Sequence, residues 1–196
     1  MLTLLLAGEA CLLSGCGKSA DKYERTTFIF GKDQSVEVIY VEDFDRDYYD
    51  AQELEEQVDA QISSFNSLFT KVDRKSLSVE DGKARLDLSF TDSDAYEDFN
   101  DVPLYYGTLA GAGQKGYDTA SFIGLSSTAK KGEPLSASEA TDMDDVPVII
   151  VCEPGDLITT ANIAYVSDNV SVDGKKRASV SDTVSEEAPA LIILED

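Results

Sequence analysis

A chain of 196 residues with 38 acidic and 16 basic side chains, a formal charge of −22 and no histidine excludes several chemistries at once. The charge repels phosphate backbones, which argues against a nucleic-acid partner, and it favours cationic or protein partners over a screening length of about 8 Å. Without histidine no Ser-His-Asp triad, Cys-His dyad or His-ligated zinc site can form. Hydrophobic and charged contents of 42% and 28% are those of a globular chain, long enough for one domain with a real core or two small ones.

The chain opens on an apolar run of Leu2, Leu4, Leu5, Leu6, Ala7, Ala10, Leu12 and Leu13. This is shorter than the about 20 residues that a spanning helix takes. It suits the hydrophobic part of a signal peptide, and the small residues Ser14 and Gly15 precede Cys16 as at a cleavage site. The stretch Leu13-Ser14-Gly15-Cys16 resembles the lipobox of bacterial lipoproteins, and the chain is similar to small surface lipoproteins of Gram-positive bacteria. The resemblance implies that residues 1–15 are removed and that the Cys16 thiolate takes a diacylglycerol group. It also implies a place on the extracytoplasmic face of a bacterial cell membrane. Cys11 follows Glu9-Ala10 and lacks the motif. No Lys or Arg precedes the apolar run, so translation is expected to begin upstream of Met1. Two or three acyl chains hold stably where one holds weakly. Residues 16–24 then form a lipidated polar tether, and residues 25–196 a single α+β domain.

In chain order, residues 26–30 and 35–44 are rich in β-branched and aromatic side chains and predict a hairpin around Gly31-Lys32-Asp33-Gln34. Asp50, with Glu53 three residues on, marks a helix start. Leu54, Val58, Ile62, Phe65 and Phe69 share one face of that helix, and an acidic face opposes it. The apolar face is expected to supply one side of the core, so that Val58→Asp would be severely destabilising. Leu77 and Val79, then Ala84, Leu86, Leu88 and Phe90, alternate about Asp81-Gly82, a two-residue turn. A helix over residues 93–100 should turn Ala95, Tyr96 and Phe99 inward. The first half thus reads β-β-α-β-β-α, antiparallel hairpins with an amphipathic helix packed on one face. Residues 107–145 read as loop with one helical turn near Ser138, the place where a division into subdomains would fall. Strands are predicted again at 148–152, 163–166, 170–172, 178–180 and 191–194, with a turn at Asp173-Gly174.

Four motifs suggest chemistry. Gly111-Ala112-Gly113-Gln114-Lys115-Gly116 fits Gly-x-Gly-x-x-Gly, but no periodic helix follows it, so it reads as a flexible loop. Asp43-Phe44-Asp45-Arg46-Asp47 begins like a calcium loop and fails at Tyr48 and Leu54, where Gly and Glu are required. Ser127-Thr128-Ala129-Lys130 and Ser167-Asp168-Asn169 resemble the Ser-x-x-Lys and Ser-Asp-Asn elements of penicillin-binding proteins and β-lactamases. That resemblance implies Ser127 as nucleophile and Lys130 as its base, with Ser167 and Asn169 in support. No Lys-Thr-Gly element follows, and Ser19-Ala20-Asp21-Lys22 shows how readily the four-residue pattern arises. Cys152, in an apolar run, reads as a buried small hydrophobe. The expectation is a lipid-anchored binding or interaction module with no metal or cofactor, against the alternative of a His-free Ser-Lys or paired-carboxylate hydrolase.

Overall fold

The computed structural model describes residues 20–68, 71–129 and 132–195. Cys16 and Lys130 lie outside the described residues, as do Phe69 and residues 1–15, the segment expected to be removed.

The fold is α+β with a strand-rich C-terminal half. The local signals place most elements. β1 (Thr27–Phe30) and β2 (Val36–Asp43) form the first hairpin, and β3 (Val72–Glu80) and β4 (Lys83–Phe90) the second. In the second turn Asp81 and Gly82 both take positive φ, at 52° and 74°, the twist that two-residue hairpins need. Between the hairpins runs α1 (Ala51–Asn66), whose N-terminus Asp50 caps by accepting from the backbone N–H groups of Gln52 and Glu53. After β4 comes α2 (Ser93–Asn100), capped by Asp92 through the Ala95 N–H. Its Ala95 and Tyr96 are buried and its Phe99 packs on the core, as predicted.

The second half contains more structure than the sequence reading gave. Strand β5 (Leu104–Thr108) leads into α3 (Leu109–Gln114), so Gly111 and Gly113 lie in a short helix and not in a flexible loop. A 3₁₀ turn at Thr119–Phe122, the two-residue β6 (Ser126–Ser127) and α4 (Ala137–Ala140) follow. The expected helical turn near Ser138 is α4, closed by a Ser136–Glu139 capping box. Next come β7 (Pro147–Val151), β8 (Gly155–Thr159), β9 (Ile163–Val166), β10 (Val170–Val172), β11 (Arg177–Val180) and β12 (Ala190–Leu194). Strands β5, β6 and β8 were not predicted.

Two sheets result, ordered β10-β11-β8-β1-β2-β4-β3 and β5-β7-β12-β9-β6. The larger is mixed, because β1 pairs with β8 in parallel and with β2 antiparallel. Gly155 opens β8 where a Cβ would come within 2.7 Å of the Thr26 carbonyl, so the close approach to β1 requires glycine.

One core cluster draws on both sheets. Phe28, Phe30, Val36, Val38, Leu88, Phe90 and Leu157 come from the larger, and Leu104, Ile149, Val151, Ile163 and Ile192 from the smaller. Sheet pairs bury alternate residues between them. The smaller sheet is also covered on its outer face, where Val148, Ile150, Leu191 and Ile193 meet Leu109, Ala112, Phe122, Leu125 and Leu135. Burial on both faces is why residues 148–151 and 191–194 read as unbroken apolar runs.

Helix α1 departs from its expected role. Leu54, Val58, Ile62 and Phe65 do share one face, but no residue of the helix is fully buried. Only Ile62 and Phe65 reach the core, at its rim. Arg74 of β3 instead ties the helix down through Glu55 and Asp59, at 3.0 and 2.8 Å. The core side assigned to α1 is filled by the smaller sheet, whose strands the sequence reading did not place opposite the hairpins.

Residues 20–23 lie against the outer face of the larger sheet, where Ala20 and Tyr23 bury against Ile29, Ile39, Val41 and Ile158. The buried Arg85 donates from Nε to the Tyr23 carbonyl at 3.0 Å. Part of the stretch read as tether is therefore packed on the fold.

Candidate functional site

The loop from β2 to α1 carries an exposed aromatic patch. Phe44 is fixed by its N–H, which donates to the Gly82 carbonyl at 2.6 Å. The Tyr49 ring stacks on Phe44, with centroids 4.8 Å apart and planes 29° from parallel. Tyr48 meets Tyr49 edge-on at 4.9 Å. Tyr48 is 78% exposed and Tyr49 43% exposed. Rings left open to water as a contiguous group, and not singly, mark a candidate binding surface. With Asp50, Glu53, Leu54 and Gln57 the rings line a shallow groove of about 320 Å³.

Carboxylates surround the rings. Residues 43–53 carry Asp43, Asp45, Asp47, Asp50 and Glu53 against Arg46 alone. Lys83 pairs with Asp43 at 3.0 Å, and Arg46 lies 3.6 Å from Asp45. Among the described residues Asp47 makes no ion pair. Asp50 caps α1 with Oδ1 alone. No group of three His, Cys, Asp or Glu side chains among the described residues converges enough to hold a metal ion. Sequence reasoning treated this segment as a failed calcium loop and passed over its rings. The available signal was three aromatics within six residues of an acidic run, next to a helix cap.

A second, polar cleft of about 480 Å³ lies between the start of α2, β5 and α3, lined by Asp92, Asp94, Tyr106, Gln114 and Lys115 among others. Its charged groups are already engaged. Asp92 caps α2, and Lys115 pairs with Asp94. Tyr106 donates to the Gly31 carbonyl at 3.0 Å. Gly107 faces the Tyr105 ring, where a Cβ would come within 2.5 Å of the hydroxyl, so that glycine serves packing.

A buried phenol pair lies at the core's edge. Tyr40 donates to Asn100 Oδ1 at 3.0 Å, and Tyr96 donates to Glu153. Burial holds both phenols well above their usual range, so they act as donors and not as bases. The neighbouring Cys152 is half-buried and not fully buried as expected. Burial, then Glu186 and Glu153, pushes its thiol up to about 11, which keeps it protonated at neutral pH.

The serine motifs fare differently. Ser127 sits in strand β6, paired with Tyr165 of β9, and its N–H donates to the Glu133 carbonyl at 2.9 Å. In a helix, positions i and i+3 share a face; along a strand they do not. Ser167 Oγ accepts from the Leu191 N–H at 2.9 Å and donates to Asn169 Oδ1 at 2.6 Å, which makes this triplet a turn that anchors β12. Incubation with a fluorescent penicillin should leave the protein unlabelled. Stoichiometric labelling lost in Ser127→Ala would show a working nucleophile.

Compared with known proteins, the chain matches no family, no curated protein and no solved structure.

Proposed function

We propose that the protein is a non-enzymatic binding module, held by a lipid on Cys16 at the extracytoplasmic face of a bacterial membrane, which engages a partner through Phe44, Tyr48 and Tyr49. The observation that carries the reading is the exposure of stacked rings on an otherwise acidic surface. A soluble monomer gains nothing from holding Tyr48 in water, whereas a partner would bury it. The anchor rests on the Leu13-Ser14-Gly15-Cys16 junction. A His-free hydrolase is the weaker reading. It needs a base beside its nucleophile or a pair of carboxyls across a cleft. Asp92 and Asp94 are instead committed to a helix cap and an ion pair.

One set of cells tests both parts. Cells carrying the full reading frame are fed a clickable palmitate analogue, and the same protein carries a photo-crosslinking amino acid at position 48. Label should enter the wild type and be absent from Cys16→Ser. Crosslinked partner should appear from position 48 and not from position 187, an exposed loop site. Equal lipid label in the two proteins refutes the anchor. The absence of crosslinks from position 48 refutes the binding surface.

A further inference from the structure

We infer that the occupant of the ring patch is a basic peptide segment whose Lys or Arg side chains lie against the open ring surface of Tyr48 and Tyr49. This rests on the binding-module reading above and specifies its partner.

The rings and the charges point the same way. A cation over the face of a Tyr ring is attracted by the ring's quadrupole. The edge-on contact with Tyr49, at 74° between planes, leaves at least one face of Tyr48 clear of stacking. Stacking on Phe44 occupies one face of Tyr49 and fixes that ring in place. The platform is therefore built before a ligand arrives, which lowers the ordering cost of binding. Asp47 and the Oδ2 atom of Asp50 stand beside it without an ion-pair partner among the described residues. The β3–β4 turn adds Glu80 and Asp81 beside the loop, its Gly82 lying against Asp45. On the exposed face of α1 Glu56 adds a further carboxylate, while Glu55 and Asp59 are held by Arg74.

The other occupants fit less well. A second copy would bring two such carboxylate clusters together, on chains of formal charge −22. An anionic lipid surface is repelled by the same charge. A neutral sugar could stack on the rings but would leave the carboxylates without a role. A basic segment uses both features. The groove of about 320 Å³ has room for the side chains of such a segment.

The test uses the full chain in neutral detergent and fluorescence anisotropy. The probe is a fluorescein-labelled peptide of alternating Lys and Gly, and the control is the same peptide with Gln for Lys. The Lys peptide should bind and the Gln peptide should not. Tyr48→Ala/Tyr49→Ala, which removes the rings and keeps every charge, should weaken binding about 10-fold. Tyr48→Phe/Tyr49→Phe should stay within about 2-fold of wild type, since the ring faces remain. Asp47→Asn/Glu53→Gln should lose about 3- to 5-fold. Asp142→Asn/Asp145→Asn, which removes equal charge from the loop before β7, should lose less than about 2-fold. Circular dichroism of each variant controls for folding. Equal binding by the ring-deleted variant and wild type overturns the proposal in favour of unspecific charge attraction. Equal binding of the Lys and Gln peptides overturns it in favour of a neutral ligand. Self-association lost with the rings overturns it in favour of a second copy. If the Lys peptide does not bind wild type while position 48 still crosslinks a partner, this inference fails and the binding-module reading stands.

Discussion

Phe90→Ala should lower the free energy of unfolding by about 3–5 kcal/mol, while Val58→Asp should cost only about 1 kcal/mol. Phe90 is 1% exposed and lies between the sheets. Its ring meets Tyr96 and Phe99 edge-on, at 5.3 and 5.8 Å. Truncation removes those contacts and opens a cavity that β2 and β3, hydrogen-bonded on either side of β4, cannot collapse to fill. Val58 lies on a helix with no fully buried residue, so a carboxylate there can reach water. Urea unfolding followed by circular dichroism checks both substitutions. Equal losses would mean that α1 is a wall of the core after all, as the apolar periodicity of residues 54–69 suggested.

That contrast marks how far the sequence could be read. The two hairpins and the helices α1 and α2 were legible because their signals are local: an Asp-Gly turn, an Asp cap, a period of two or of 3.6. Strand β8 was not, because Gly155-Asp156-Leu157-Ile158-Thr159 has only a short apolar centre and opens on a glycine. Its reason for being a strand is the parallel pairing with β1, more than a hundred residues away. Depth of burial was equally hidden. Periodicity shows which face of α1 is apolar, but not that the second sheet takes the place against the first. The candidate site was obscured for a related reason. Phe44, Tyr48 and Tyr49 sit in a run where five of eight residues are charged, and only tertiary placement shows that the rings group together in the open. The packing of residues 20–23 was hidden likewise, since nothing near Ala20 or Tyr23 announces the hydrophobic contacts with Ile39 or the Arg85 hydrogen bond.

Asp87→Asn should stabilise the protein at pH 7 by about 1–2 kcal/mol and leave it unchanged near pH 3. Asp87 projects from β4 on the outer face of the larger sheet, with a side-chain oxygen that is buried and has no hydrogen-bond partner among the described residues. Burial, then the Glu37 carboxylate, pushes its pKa up to about 6, and the Lys75 ammonium opposes the rise. An unfolded aspartate titrates near about 3.9. The fold therefore favours the protonated acid. Its contribution to stability is fully present below the unfolded value and is lost as pH rises through about 6. The gap corresponds to a penalty of at most about 3 kcal/mol at neutral pH, reduced by screening where the exposed Lys75 admits solvent. Asparagine keeps the shape and removes the charge, so the penalty disappears. Groups that do not face Asp87 contribute equally to both proteins, so the difference between their melting curves reports on Asp87 and its neighbours Glu37 and Lys75. Melting temperatures measured from pH 3 to pH 8 should converge at the acid end and separate through pH 4–6, with the variant the higher. A variant less stable than wild type at pH 7 would mean that the carboxylate is held by a favourable interaction, and that the outer face of the larger sheet accommodates its charge.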